Sequence, residues 1–446
     1  MVRWLNRHGS NVSVADTRAD PPHAGALSRE FPEVALECGE FRDASMRNAD
    51  LIAISPGVDR RTPAVAAATK RGVPVVGDIE LFARGLAQLL APCASRPAPT
   101  ILGITGTNGK TTVTRMAGDI CAAAGLDTRV AGNIGTPALE VLTAIEDGGA
   151  VPGAFVLELS SFQLESTVSL NADAATMLNL SPDHLDRYDG IDAYAAAKAR
   201  VFNGNGAQVL NRDDARGGAM ALPGRAIYRF GLAAPRGGKE WGLVQHARQA
   251  WLACGDRTLM PAGELPVTGM HNAANALAAS ALCHAIGIAD APITAALRAF
   301  RGLPHRVERV AAIDGITFYD DSKGTNVGST VAALNGFARL VVLIAGGDGK
   351  GQDFGPLRAP VTRHARAVVL IGRDREQIAA ALDGCGVPLE RAADLEQAVR
   401  TALAVCCDGD AVLLSPACAS LDMFRNYVHR GEVFAAAVHA LVRSKE

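Results

Sequence analysis

The sequence predicts an α/β protein of three domains. These are an incomplete Rossmann-like N-terminal domain, a central domain of the P-loop ATPase type with a mostly parallel sheet, and a C-terminal Rossmann-like α/β domain. Three observations carry this prediction. Apolar β-type runs alternate with Ala-rich helical stretches along the chain, the pattern of parallel sheets crossed by helices. One of those runs leads into the glycine-rich turn GITGTNGKTT, Gly103 to Thr112. Two joints punctuate the chain, APCASRPAP at Ala91–Pro99 and GLPHR at Gly302–Arg306. They divide it into segments 1–96, 97–302 and 303–446, and 446 residues suffice for two or three cored domains.

In the first segment Met1–His8 reads as the end of an amphipathic helix, with Gly9 as its cap. Val12–Ala15 reads as a strand leading to Asp16, Thr17 and Arg18, like the second half of a Rossmann βαβ unit. The first strand and its glycine-rich turn would precede Met1. The expectation is a start at an internal Met, with about 20 residues missing and a gap inside the sheet.

The central segment opens on Thr100-Ile101-Leu102, then the loop, then a helix over Thr111–Ala124. Such a turn lets backbone N–H groups wrap phosphate oxygens at a helix N-terminus. Gly106, Thr107, Asn108, Gly109, Lys110, Thr111 and Thr112 form the candidate nucleotide site. Lys110 is expected at the outer phosphates and the Thr111 hydroxyl on Mg²⁺. The spacing departs from strict GxxxxGK[ST], because Ile104 stands at the first glycine position. Further strands are expected at Phe155–Glu158, Ala175–Leu178 and Gln208–Leu210, with helices at Asp192–Phe202 and His271–Ile286. Glu158 ends its strand where a parallel sheet delivers chemistry, and suits a metal. His184 lies in NLSPDHLDRY between Asp183 and Asp186. Lys198, on an Ala-rich helix, reads by pattern alone as a solvated side chain.

In the last segment strands are expected at Ile316–Tyr319, Leu340–Ala345, Ala367–Ile371 and Ala411–Leu414. YDDSKGTN (Tyr319–Asn326) and GGDGKG (Gly346–Gly351) both follow strands, and suggest a crevice for an anionic ligand.

Bulk properties exclude other classes. A formal net charge of −2, with 20% charged residues, gives no nucleic-acid signature. No apolar run approaches the roughly 18 residues that span a bilayer, and MVRWLNRHGS has no signal-peptide core. Nine scattered cysteines without a CxxC pair fit reduced thiols in the cytoplasm. Nothing calls for an oligomer, so a monomer is expected.

Taken with GNIG (Gly132–Gly135), ELSSFQLE (Glu158–Glu165), HNAAN (His271–Asn275), LPHR and DSKGTN, these motifs resemble the Mur ligases over essentially the whole chain. GGDGKG and SPACASLDMFRNYVHRG (Ser415–Gly431) resemble the branch that handles D-glutamate. The resemblance implies an ATP-dependent ligase that adds D-glutamate to UDP-N-acetylmuramoyl-L-alanine in peptidoglycan precursor synthesis, through an acyl phosphate. It implies two Mg²⁺ ions, held by Thr111, Glu158, His184 and a Lys198 carbamylated by CO₂. Lys110, Glu158, His184 and Lys198 would then be catalytic, which overrides the solvated reading of Lys198. It further implies nucleotide contacts from Asn272, Asn275, Arg306 and Asp321. Muramoyl contacts would come from Asn133, Ser160 and Gln163, and uridine-diphosphate contacts from Thr17, Arg18, Ser55 and Gly57. D-Glutamate contacts would come from Lys323, Thr325, Lys350, Ser420 and Tyr427. The alternatives are a sister Mur amino-acid ligase, a folylpolyglutamate synthase-like ligase, or, from another class, a nucleotide-dependent binding or switch protein.

Overall fold

The computed structural model describes residues 1–91, 98–184, 186–267 and 269–444. Most of the Ala91–Pro99 joint therefore lies outside the described residues. The chain divides into two compact units. The first comprises Met1–Thr105, Leu126–Ala175 and Ala196–Gly206; the second comprises Gly106–Gly125, Thr176–Ala195 and the chain from Ala207 onward. Among the described residues, the middle of the chain supplies a nine-stranded, mostly parallel sheet. No described helix is long and apolar enough to cross a membrane.

In the first unit the helix Val2–Arg7 buries Trp4. The strand Ser13–Asp16 pairs in parallel with Ala35–Cys38, and Ile52–Ala53 with Val75–Val76. These are two separate two-stranded sheets. The strand Ala154–Glu158 is buried at all five residues, as a near-continuous apolar run predicts for a central parallel strand. It lies between the parallel neighbours Thr100–Thr105 and Thr128–Gly132. Phe82 of the helix Asp78–Leu90 packs edge-to-face on Phe155, ring centroids 5.1 Å apart.

In the second unit the helix Lys110–Ala123 packs against Met270–Ala285 and Asp290–Ala299. The strands Ala207–Asn211, Ile227–Phe230 and Glu240–His246 are parallel, and Gln249–Cys254 and Arg257–Pro261 continue antiparallel. None of the last four was expected from the sequence. The hairpin after His246 turns on Ala247 and Arg248, both at positive φ (49° and 68°). Such turns usually announce themselves by Asn or Gly, and this one does not.

The C-terminal sheet runs Glu308–Ile313, Ile316–Asp320, Ala411–Leu414, Val341–Gly346, Ala365–Ile371, Leu389–Arg391. Its first pair is antiparallel and the remainder parallel, with apolar clusters on both faces. The glycine-rich turns leave the C-terminal ends of Ile316–Asp320 and Val341–Gly346, where such sheets place ligands.

Glu80, buried in the helix Asp78–Leu90, ties that helix to the Val168–Ser169 segment. Its Oε2 accepts from the Val168 and Ser169 amides (2.7 and 2.8 Å), and its Oε1 from Ser169 Oγ and Arg84 Nε (both 2.7 Å). Burial alone would raise its pKa, but the Ser169 and Val168 amides, the Ser169 hydroxyl and Arg84 together hold it below the usual value. A depressed carboxylate stabilises above its unfolded pKa and loses that contribution as pH falls through the folded one. Glu80→Gln is expected to cost about 1–3 kcal/mol at neutral pH in denaturant unfolding. The gap to the native chain should close on acidification; a gap that widens in acid would contradict this role.

Candidate active site

The phosphate loop belongs to the second unit. Gly106 and Gly109 take positive φ (152° and 84°), and Gly109 caps the helix Lys110–Ala123. A side chain at Gly109 would be strained by φ and would place its Cβ 2.5 Å from Asn275 Oδ1. Asn179, which had not been singled out in the sequence, clamps the loop from the strand end. Its backbone O accepts from Thr107 N (2.9 Å), its Oδ1 from Asn108 N (2.8 Å), and its Nδ2 donates to Asn108 O (3.0 Å). Thr107 Oγ1 donates to Ser181 O (3.2 Å), and Thr112 is buried in the first helical turn.

Three cations meet protein acceptors here. Lys110 Nζ curls back onto Gly106 O and Thr107 O, both at 2.9 Å. Arg306 Nη2 donates to Thr111 Oγ1 at 2.9 Å, which brings an expected nucleotide contact onto an expected metal ligand. Lys350, itself at φ 52°, donates to Asp183 Oδ1 at 2.8 Å. Asp183 also accepts from Asn326 Nδ2 (3.3 Å), and Asn326 exchanges side-chain hydrogen bonds with Asn108 (3.0 and 3.3 Å). Asp183 is 6% exposed. Burial pushes its pKa up, but Lys350, His184 and Lys110 together hold it below the usual range. Its role in this network was not legible in the sequence.

His184 adopts φ 55°, with its ring beside Tyr194. Burial lowers its pKa, with Lys350 and Lys110 reinforcing and Asp183 opposing. A neutral imidazole is the metal-ligating form. Nearby in the fold of this unit, Asn275 Nδ2 donates to Asn272 Oδ1 (3.2 Å). Asp321 is buried and accepts from Ser415 Oγ at 2.7 Å. Desolvation raises its pKa to about 7, with Ser415 and Arg306 opposing. Lys323 Nζ sits 3.7 Å from the Tyr427 ring centroid. Thr325 N donates to Lys323 O (2.9 Å), and Ser420 is buried with its carbonyl accepting from Phe424 N (2.8 Å).

The first unit holds the other candidates. Glu158 is 1% exposed; its Oε1 accepts from Asn133 Nδ2 at 2.8 Å, whereas its Oε2 is buried with no hydrogen-bond partner. A buried carboxylate oxygen with no donor is the chemistry that a divalent cation satisfies, so Glu158 fits Mg²⁺. Lys198, also 1% exposed, corrects the solvated reading of its helix pattern. Its Nζ donates to Thr105 Oγ1 at 3.4 Å, and Thr105 Oγ1 donates to Leu159 O at 2.7 Å. Ser160 and Gln163 form a capping box on the short helix Ser161–Leu164, and Gln163 Nε2 donates to Asp78 Oδ2 at 2.9 Å. Also in this unit, Arg18 forks onto Asp16 (2.9 and 2.6 Å) on the surface beside the exposed Thr17. Ser55 opens a turn through Gly57, its carbonyl accepting from Val58 N at 3.0 Å.

A raised folded pKa means that Asp321 stabilises fully below its ordinary 3.8, and that this is lost as pH rises through about 7. Asp321→Asn, which cannot ionise, should therefore gain thermal stability relative to the native chain between about pH 4 and about pH 8. A constant offset across that window would show that Asp321 titrates normally.

Three family models match the chain in sequence. They are a Mur ligase MurD-like N-terminal domain over residues 1–77, a Mur ligase middle domain over 104–283, and a Mur ligase glutamate ligase domain over 305–418. The UDP-N-acetylmuramoylalanine–D-glutamate ligase of Methylobacillus flagellatus is 57% identical over 444 residues, covering 100% of this chain and 95% of that protein. The protein of the same name from Thiobacillus denitrificans is 57% identical over 453 residues, covering 100% and 94%. In fold, the chain is similar to the UDP-N-acetylmuramate-alanine ligase of Thermotoga maritima. The TM-score there is 0.60 at 18% identity, covering 98% of this chain and 95% of that one. It is also similar to a Yersinia pestis folylpolyglutamate synthase/dihydrofolate synthase complexed with AMPPNP and Mn, with a TM-score of 0.58 at 20% identity, covering 81% and 93%.

Proposed function

The chain belongs to the Mur ligase family, and from that premise we propose that it is the ATP-dependent ligase that joins D-glutamate to UDP-N-acetylmuramoyl-L-alanine. The observation that carries this reading is 57% identity over the whole chain to a ligase bearing that name. The product would be a peptidoglycan precursor, made in the cytoplasm by a monomer.

The chemistry has to overcome one difficulty: a carboxylate cannot expel oxide. The substrate carboxylate therefore attacks the γ-phosphorus of ATP, giving an acyl phosphate and ADP. The D-glutamate amine then adds to the acyl carbon, loses a proton, and the tetrahedral intermediate collapses with release of phosphate. Such transfer rests on positioning and charge neutralisation. The loop amides and Lys110 would take the β- and γ-phosphates, exchanging the loop carbonyls for phosphate oxygens. Arg306 would leave Thr111 for the nucleotide, with Asn272, Asn275 and Asp321 around adenine and ribose. Lys350 would leave Asp183 for a D-glutamate carboxylate, with Lys323, Thr325, Ser420 and the backbone near Tyr427 completing that subsite. Asn133, Ser160 and Gln163 would contact the muramoyl part, and Thr17, Arg18, Ser55 and Gly57 the uridine diphosphate.

Two Mg²⁺, held by Thr111 and Glu158 and by His184 with a carbamylated Lys198, would supply charge neutralisation on the transferred phosphoryl group. The fit of Lys198 is its burial: the ammonium gives up one proton, and the resulting amine plus CO₂ gives a carbamate and a second proton, turning a cation into an anionic oxygen ligand.

ADP release measured with UDP-N-acetylmuramoyl-L-alanine and each candidate amino acid should appear with D-glutamate alone. Release with another amino acid would assign the chain to a sister activity, and hydrolysis insensitive to any of them would make it a switch. Lys198→Ala should lose at least about 100-fold in rate and recover part of it with added short-chain carboxylates. Full activity in that variant would remove the carbamate from the mechanism.

A further inference from the structure

One imidazole joins the Leu303–Arg306 joint to the end of the strand that leads into DSKGTN. His305 Nδ1 lies 2.7 Å from Oδ2 of Asp320, the buried last residue of the strand Ile316–Asp320. The other Asp320 oxygen accepts from Ser322 N at 2.8 Å. The His305 backbone is fixed as well: its N donates to Glu308 Oε2 (2.8 Å) and its O accepts from Lys323 N (3.1 Å). Its φ of 61° is a conformation that a residue with a Cβ keeps only when its surroundings hold it there.

The ring meets Tyr427 edge-on, centroids 6.1 Å apart, and the same Tyr427 ring carries the Lys323 ammonium at 3.7 Å. Gly431, one helical turn beyond Tyr427, leaves the space that this arrangement needs. A Cβ there would overlap His305 Nδ1 and come within 2.6 Å of Asp320 Oδ2. The ligand atoms of His305, Glu308 and Asp320 lie within 4.8 Å of one another, but both carboxylates already accept hydrogen bonds from His305. The group is thus a hydrogen-bonded post.

We propose that His305, oriented by Asp320 and seated against Gly431, is a positioning residue that fixes the Tyr427 ring and the Lys323 backbone, and so sets where the Lys323 ammonium meets the anionic amino-acid substrate. The substrate's identity rests on the proposed function; the post itself does not.

The test compares Gly431→Ala, His305→Leu, their double variant, Asp320→Asn and Asp320→Leu in steady-state kinetics and in imidazole ¹⁵N NMR. Each of the first two should raise the apparent KM for D-glutamate about tenfold while changing that for ATP by less than about twofold. The double variant should match the singles, because both changes displace one ring. Asp320→Asn, whose one amide oxygen still accepts from Nδ1–H while its NH2 group faces the Ser322 N–H, should be clearly less damaging than Asp320→Leu. In the native chain the Nδ1 proton should be hydrogen-bonded, and it should lose that signature in Asp320→Leu. Additive losses, equal effects on ATP, or Asp320→Asn as damaging as Asp320→Leu would overturn the proposal. If native chain shows no D-glutamate-dependent turnover, the functional reading fails, and the imidazole spectrum still decides whether the post exists.

Discussion

Phosphates can be cradled by a backbone only if several consecutive amides are held pointing one way, and in this chain that depends on Asn179. Its backbone and side chain together engage Thr107 and Asn108, the two residues between the positive-φ glycines of the loop. With those two fixed, Gly109 can turn the chain into the helix, and Lys110 and Thr111 start it with their side chains beside the loop. Asn179 follows a buried strand, so the clamp inherits the rigidity of a packed sheet rather than that of a surface turn.

The second constraint is electrostatic. A site for two polyanions needs several cations at close quarters, and half-buried cations are costly unless each has an acceptor. Here Lys110 has two loop carbonyls, Arg306 the Thr111 hydroxyl, and Lys350 the Asp183 carboxylate. On the proposed function, ligand binding would be an exchange of acceptors, in which a phosphate or carboxylate oxygen replaces a protein oxygen. Exchange yields modest net affinity and strong geometric selectivity, because an anion that cannot reach the displaced cation leaves it paired where it was.

The loop, its strand and its helix were legible because glycine spacing and an apolar run are local signals. Glu158 was legible for a similar reason: it closes an unbroken buried strand. Asn179 and Asp183 were not, since ordinary polar residues acquire their roles from partners far along the chain, Asn108 for one and Lys350 for the other. Lys198 lies on a helix too rich in alanine to show a polar face, so its burial is decided by what packs on it and not by its own pattern. The hairpin between Glu240–His246 and Gln249–Cys254 was hidden because it turns on Ala247 and Arg248, residues that carry no turn signature.

Asp321 couples this site to solvent protons. A carboxyl that titrates near 7 is a mixture of acid and anion in a cell, whereas a ribose hydroxyl donates best to the anion. If the nucleotide meets Asp321 as a carboxylate, each binding event expels a fraction of a proton into the medium. By linkage, local acidity then competes with nucleotide for the same side chain, and the heat of binding carries the ionisation heat of whichever buffer takes up that proton.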